Sequence, residues 1–239
     1  MKAFLLAAGH GTRLRPLTDT MPKCLVPIRG VPLLKIWLDL CRSHEIDEVL
    51  INVHAHADAV RAFVSGTHTG VTVTVSEEKV LLGSAGTLVA NRAWLQSDSS
   101  FWIFYSDVLT AARLDPLLSI HREYPDHLAS LGVYQVPDPR RCGIVTLDER
   151  GIVRGFVEKS ENPPGCLAFS GIMIARREIL DLVPANTPDG LADIGFHVLP
   201  QLVGRMGAVP INEFLLDIGT MDNYRKAQEV WPAPQIVSN

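Results

Sequence analysis

The amino-acid sequence predicts an α/β protein, a three-layer sandwich around a mostly parallel mixed sheet that carries a small antiparallel extension. Three observations point there. Strand-like and helix-like segments alternate through the first half of the chain. From Leu128 onward, strand-like runs follow one another with few helices between them. At 239 residues, 47% of them hydrophobic and 20% charged, the chain can bury one sizeable core. Strands alternating with helices imply parallel pairing with both sheet faces covered, and right-handed crossovers then give a Rossmann-like layout.

Each element has its own signal. Residues 3–8 form an apolar run, as a doubly covered strand requires. Leu33, Leu34, Ile36, Trp37, Leu40 and Cys41 recur at helical spacing and mark one buried face. Glu48–Val53 reads as a short strand and residues 57–64 as a helix. Residues 70–75 alternate branched apolar with polar side chains, which suits a strand open on one face. Residues 86–95 read as a helix and 101–105 as a compact apolar strand. In the second half, 127–134, Gly143–Leu147, 152–158 and 166–175 read as strands. Asp148-Glu149-Arg150-Gly151 joins two of them as a hairpin turn with Gly151 at positive φ. Helices are expected near 176–182, 192–203 and Met221–Val230. Without a repeat or linker, the expectation is one domain over 1–231, with halves of about 1–125 and 126–231, and a loose tail at 232–239.

Charge and cysteine content exclude several function classes. A net charge of −4 gives no general attraction for nucleic acid or an anionic membrane. A polyanion would need a local cationic cluster, and Arg13, Arg15 and Lys23 supply one. Cys24, Cys41, Cys142 and Cys166 lie far apart with no CxxC pair, which argues against a zinc site or disulfide framework and fits a reducing cytoplasm. The N-terminal apolar run is at the short limit for a signal peptide, and Arg13 and Arg15 stand where a cleavage site should lie. No run approaches the roughly 20 apolar residues of a membrane span.

The richest local chemistry follows the first strand. Gly9 and Gly11 allow a sharp turn and close backbone approach to a ligand. Thr12 can donate from its hydroxyl, and Arg13 can clamp phosphate oxygens in a bidentate manner. Pro22 and Pro27 bracket Lys23 and stiffen its segment. The P-loop pattern GxxxxGK[ST] is absent, and GxGxxG fails because Leu14 fills its last glycine position. Taken alone, the loop leaves open both a polyphosphate cradle and a surface turn with solvated cations.

Leu6-Ala7-Ala8-Gly9-His10-Gly11-Thr12-Arg13-Leu14-Arg15-Pro16-Leu17-Thr18, followed by Pro22-Lys23-Cys24-Leu25-Val26-Pro27, resembles the signature of sugar-1-phosphate nucleotidylyltransferases. That family's pattern runs roughly L-A-(A/G)-G-x-G-T-R-L-x-P-L-T…P-K-x-L-x-P. The resemblance implies transfer of a nucleotidyl group from an NTP to a sugar 1-phosphate with release of pyrophosphate, with Mg²⁺ as the usual metal. It implies that Leu6, Ala7, Ala8 and Gly9 face the nucleotide, that Gly11, Thr12 and Arg13 hold the triphosphate, and that Lys23 stabilises charge near the α-phosphate. Arg13 and Lys23 are thereby the expected catalytic pair.

Further blocks extend the resemblance. Asp107 after one apolar strand, and Asp217 in Leu215-Leu216-Asp217-Ile218-Gly219-Thr220, match the family's metal-binding acids, and Ser106 beside Asp107 falls on the nucleotide side. Glu78 to Leu88, with Gly83 and with Ser84 for the usual Thr, is similar to the segment bordering the nucleobase. On the sugar side, Gly143 matches Y-G-V-V, Glu158 and Lys159 match F-x-E-K-P, and Ser170 falls in a segment similar to N-(A/S)-G-I with Phe169 in place of Asn. The implied roles are carboxylate to sugar hydroxyls for Glu158 and lysine to the sugar phosphate for Lys159. Cys142 and Phe169 replace polar-capable residues, which leaves the sugar open.

GTP with mannose 1-phosphate or a heptose 1-phosphate is the first expectation. UTP with N-acetylmuramate 1-phosphate and dTTP with glucose 1-phosphate are the rivals, and a homo-oligomer fits any of them. A rival of another class, a non-catalytic NDP-sugar-binding regulator, would call for loss of Arg13, Lys23 or an acid, and all are present. His10, His54 and His56 read as surface histidines, and Cys24, beside Lys23, reads as a thiol of lowered pKa with no base beside it.

Overall fold

The computed structural model describes residues 1–232, so the tail expected at 232–239 lies outside the described residues apart from Pro232. In chain order the strands and helices are β1 (Lys2–Leu6), β2 (Pro27–Ile28), β3 (Val31–Pro32), α1 (Leu33–Ser43), β4 (Glu48–Val53), α2 (Ala57–Gly66), β5 (Thr72–Glu77), α3 (Ser84–Ala90), β6 (Ser100–Tyr105), β7 (Val108–Thr110), α4 (Asp115–Glu123), β8 (Ala129–Gln135), β9 (Gly143–Leu147), β10 (Val153–Glu158), β11 (Leu167–Arg176), β12 (Met206–Pro210), β13 (Leu215–Asp217) and α5 (Met221–Val230). The central sheet is mixed. β5, β4, β1 and β6 lie side by side in parallel, and β11 joins β6 antiparallel. Beyond β11 the sheet forks into β8–β12 and β9–β10.

The three layers follow from the period-two alternation of doubly buried strands. Ala3, Leu5, Ile51, Trp102, Phe104 and Ile174 face the layer that holds α1, α2 and α4. Phe4, Leu50, Phe101, Ile103 and Met173 face the opposite layer, with Ala85 and Leu88 of α3. The sequence could not be amphipathic here, because no face of these strands meets water.

Parallel topology also places a crevice. From β1 the chain runs outward through β4 to β5, then returns to β6 on the other side of β1. The loops leaving β1 and β6 therefore diverge at a topological switch point, where open α/β sheets receive ligands. Ser106 N donates to Leu6 O at 3.0 Å and fixes the two loops together at their start.

Several expected helices take tighter or looser forms. The helix expected over 86–95 divides into α3 and a 3₁₀ turn, Arg92–Leu95. Of the helix expected over 176–182, Arg176 ends β11 and Arg177–Leu182 is 3₁₀. The helix expected over 192–203 is a π turn, Ile194–Val198, followed by 3₁₀ at Leu199–Leu202. Pro200 removes a helical donor there, and Gly195 weakens the preceding turn. β2, β3, β7 and β13, of two or three residues each, carry too little periodicity to be read from sequence, and α4 and β12 were not anticipated either.

Candidate active site

The loop after β1 is shaped by a glycine and a threonine. Gly11 has φ 63°, and a Cβ there would meet the Thr18 methyl at 2.9 Å. The Thr18 hydroxyl donates to Gly11 O at 2.8 Å, and Leu14 N donates to the same carbonyl at 2.9 Å. Leu14 is fully buried and anchors a 3₁₀ turn, Thr12–Leu14, from which Arg13 projects. Arg15 turns away to Asp19, 3.1 Å distant, so the expected cationic cluster keeps only Arg13 and Lys23.

Leu6, Ala7, Ala8, Gly9, Gly11, Thr12, Arg13, Lys23, Glu78, Gly83, Ser106 and Asp107 all line one cavity of about 490 Å³. Lys23 Nζ, mostly buried, lies 2.7 Å from Asp107 Oδ2. The β7–β13 ribbon pairs Asp217 with Val108, and Ile218 N donates to Asp107 O at 2.9 Å. Both acids therefore stand at one end of the cavity. Gly219 lines it, and a Cβ there would meet Asp217 Oδ1 at 2.7 Å and Arg13 Nη2 at 2.9 Å. The carboxyl of Asp217 is pushed up by desolvation and then by Asp107, against the opposing pull of Lys23 and Arg13. The residue is exposed, so solvent screens these effects. Among the described residues no group of three or more His, Cys, Asp or Glu could hold a metal alone.

The opposite wall is held by a buried network of which sequence reasoning named Glu78 but not Asn52 or Thr87. Asn52 Oδ1 accepts from Ala7 N at 2.7 Å, and Asn52 Nδ2 donates to Glu78 Oε1 at 2.8 Å. Glu78 also accepts from the Thr87 hydroxyl at 2.5 Å and from Leu82 N at 3.2 Å. Glu78 thus braces the wall from behind. The available signal was a polar Asn at the end of an apolar strand. His10 also lines the cavity, edge-on to His54 at 5.3 Å. Cys24 is fully buried, and burial pushes its thiol up to about 12, the reverse of the expected lowering.

Gly143, Glu158 and Lys159 form a second group. A Cβ on Gly143 would lie 2.5 Å from Glu158 Oε2, so this glycine makes room for the carboxylate. Burial pushes the Glu158 carboxyl up; Lys159, 3.6 Å away, lowers it and Asp193 raises it. Lys159 adopts a left-handed backbone (φ 49°), and its ammonium lies 5.2 Å from the centre of the exposed Phe196 ring. Ser170 is not brought to these groups. It is 2% exposed, and its hydroxyl accepts from Ile172 N at 3.2 Å within the irregular turn of β11 at Gly171.

A family model described as nucleotidyl transferase matches residues 2–232. The UTP–glucose-1-phosphate uridylyltransferase of Synechocystis is 31% identical over 95% of this chain and 62% of its own length. The mannose-1-phosphate guanylyltransferase 1 of Arabidopsis thaliana is 30% identical over 94% of this chain and 63% of its own. The chain thus spans a little over three-fifths of these relatives. A crystal structure of a UDP-glucose pyrophosphorylase with UDP-glucose shares the fold, with TM-score 0.83 and 19% identity over 95% of this chain and 97% of that one. No helix among the described residues is long and apolar enough to cross a membrane.

Proposed function

This chain belongs to the nucleotidyl transferase family, and from that premise we propose that it transfers a nucleotidyl group from an NTP to a sugar 1-phosphate, releasing pyrophosphate. The observation that carries the reading is convergence. Arg13, Lys23 and Asp107 line one cavity with the Gly9–Gly11 loop, and Asp217 stands beside its rim at Gly219.

The physical problem is the approach of two anions. A phosphate oxygen of the sugar phosphate attacks the α-phosphorus, the bond to the β-phosphate oxygen breaks, and pyrophosphate leaves with that electron pair. Arg13 receives the departing pyrophosphate, and Lys23 sits where charge grows on the α-phosphate. Lys159 holds the attacking phosphate and Glu158 accepts from sugar hydroxyls. Gly83 and the wall braced by Glu78 border the base. The donor set fits Mg²⁺, since Asp107 and Asp217, brought together by the β7–β13 ribbon and the Ile218 N–Asp107 O bond, offer hard carboxylate oxygens and surplus negative charge. When bound, such a cation supplies charge that offsets phosphate repulsion. Asp107 and Asp217 would hold it.

For substrates we take GTP with mannose 1-phosphate or a heptose 1-phosphate first, which the Arabidopsis relative supports. The Synechocystis relative favours uridylyl transfer as the second reading. We place the reaction in the cytoplasm, where its free cysteines stay reduced. Pyrophosphate release measured for four NTPs against a panel of sugar 1-phosphates, with Mg²⁺, tests the reading. Turnover confined to one pair is expected. Silence across the panel contradicts the reading and favours a non-catalytic NDP-sugar-binding role.

A further inference from the structure

Asp193 lies outside every motif in the sequence, yet it is where the two sides of the cleft meet. Its backbone N donates to His197 Nδ1 at 2.9 Å, and its Oδ1 accepts from Phe196 N at 3.0 Å, capping the π turn. Its Oδ2 accepts from the Ser84 hydroxyl at 2.9 Å, and that same hydroxyl accepts from Ile194 N at 2.8 Å. Ser84 begins α3 and lines the cavity beside Gly83. Backbone bonds tie the same segments: Ala192 N to Leu82 O at 3.0 Å and Ala85 N to Ala192 O at 2.8 Å.

The turn that Asp193 caps carries Gly195. A Cβ on Gly195 would lie 2.5 Å from Glu158 Oε2, the same distance found for Gly143. Glu158 Oε2 therefore rests in a slot between two glycines, one from β9 and one from the capped turn. Moving the turn moves that slot.

We infer that Asp193 is a positioning residue, registering Glu158 against the base-side turn at Gly83–Ser84 so that sugar and nucleotide are presented at one fixed offset. The inference rests on the nucleotidyl-transfer reading for the identity of the ligands. In-line transfer makes such an offset matter, since a misplacement of about 1 Å can cost roughly 10²-fold in rate. Asp193 also couples to Glu158 by charge. The titratable groups near Glu158 are Lys159, Asp193, the Cys142 thiol and the Tyr105 hydroxyl of β6, and His197 accepts from the Asp193 backbone N.

Asp193→Asn keeps the size of the side chain and removes its charge. Titration of the Glu158 carboxyl, followed by ¹³C NMR with labelled glutamate, should move to lower pH in this variant. The kcat should fall roughly tenfold or more, and the KM for sugar 1-phosphate should rise while the KM for NTP stays within about twofold. An unmoved Glu158 midpoint, or equal rises in both KM values, overturns the inference. Should Asp193→Asn fail to fold, Ser84→Ala carries the test: it cuts the tie and keeps the charge, so the sugar KM should still rise. An unchanged sugar KM there also overturns it. A wild-type protein that releases no pyrophosphate with any pair contradicts the transfer reading instead, and the NMR titration still decides the coupling.

Discussion

The two walls of the cleft are built by different means. On the β1 side the wall is largely backbone, a loop set by Gly11 at positive φ, Thr18 on its carbonyl, and Asn52 on Ala7 N. On the β10 side it is largely side chain. There Glu158 sits in a glycine slot with its pKa raised by burial, and Lys159 is held in left-handed backbone. Backbone walls present N–H groups to any phosphate, so they specify a chemistry. Side-chain walls specify a partner, because their positions depend on packing from distant segments such as Asp193.

The comparison can be broken in order of expected effect. Lys23→Ala should lower kcat by about 10²–10³-fold with any sugar, as removal of a preorganised charge contact does. An effect that depended on the sugar would blur the division between the walls. Gly83→Ala should come next. Gly83 has φ 78°, and a Cβ there would sit 2.4 Å from the Ala192 carbonyl oxygen, so a cost of about 2–3 kcal/mol and a Tm drop of roughly 5–10 °C are expected. An unchanged melting curve would mean that the turn yields easily.

Asp217→Asn should remove activity yet raise the Tm of the metal-free protein slightly. A carboxyl whose pKa rises on folding opposes folding once it is charged, so removing the charge at neutral pH relieves that penalty. A fall in Tm would contradict the repulsion assigned to the acid pair. The smallest effect concerns the fork in the sheet. His121, 3% exposed, is held down to about 4, by burial first and then by Arg176. Its folded pKa lies below the unfolded value near 6.5, so its contribution is present above about 6.5 and lost as pH falls toward 4. His121→Gln should flatten the acid limb of stability measured by urea unfolding.

Legibility followed the same division. Glu48–Val53, Gly143–Leu147 and Met221–Val230 were readable to the residue, because each carries its own periodicity or hairpin turn. The residues of the β1 loop were readable because glycine and arginine spacing is local. Arg15 escaped, since its choice of Asp19 over the cleft depends on which way a 3₁₀ turn rotates. Asn52 and Asp193 escaped for another reason. Their partners lie on other elements, and no local pattern connects Asp193 with a serine 109 positions earlier. Cys24 was misread because its neighbour Lys23 is visible in sequence and its complete burial is not.

The central claim is that the α-phosphate of an NTP moves onto a sugar phosphate in the cavity between β1 and β6. Single-turnover reaction of α-³²P-labelled GTP with mannose 1-phosphate and with a heptose 1-phosphate, and of labelled UTP with its partners, tests this most directly in wild type and Lys23→Ala. The account expects the label to appear in a nucleotide sugar, with one pyrophosphate released per transfer and a rate lower by about 10²-fold or more in the variant. Label that stays in the triphosphate, or transfer at an undiminished rate without Lys23, would contradict it.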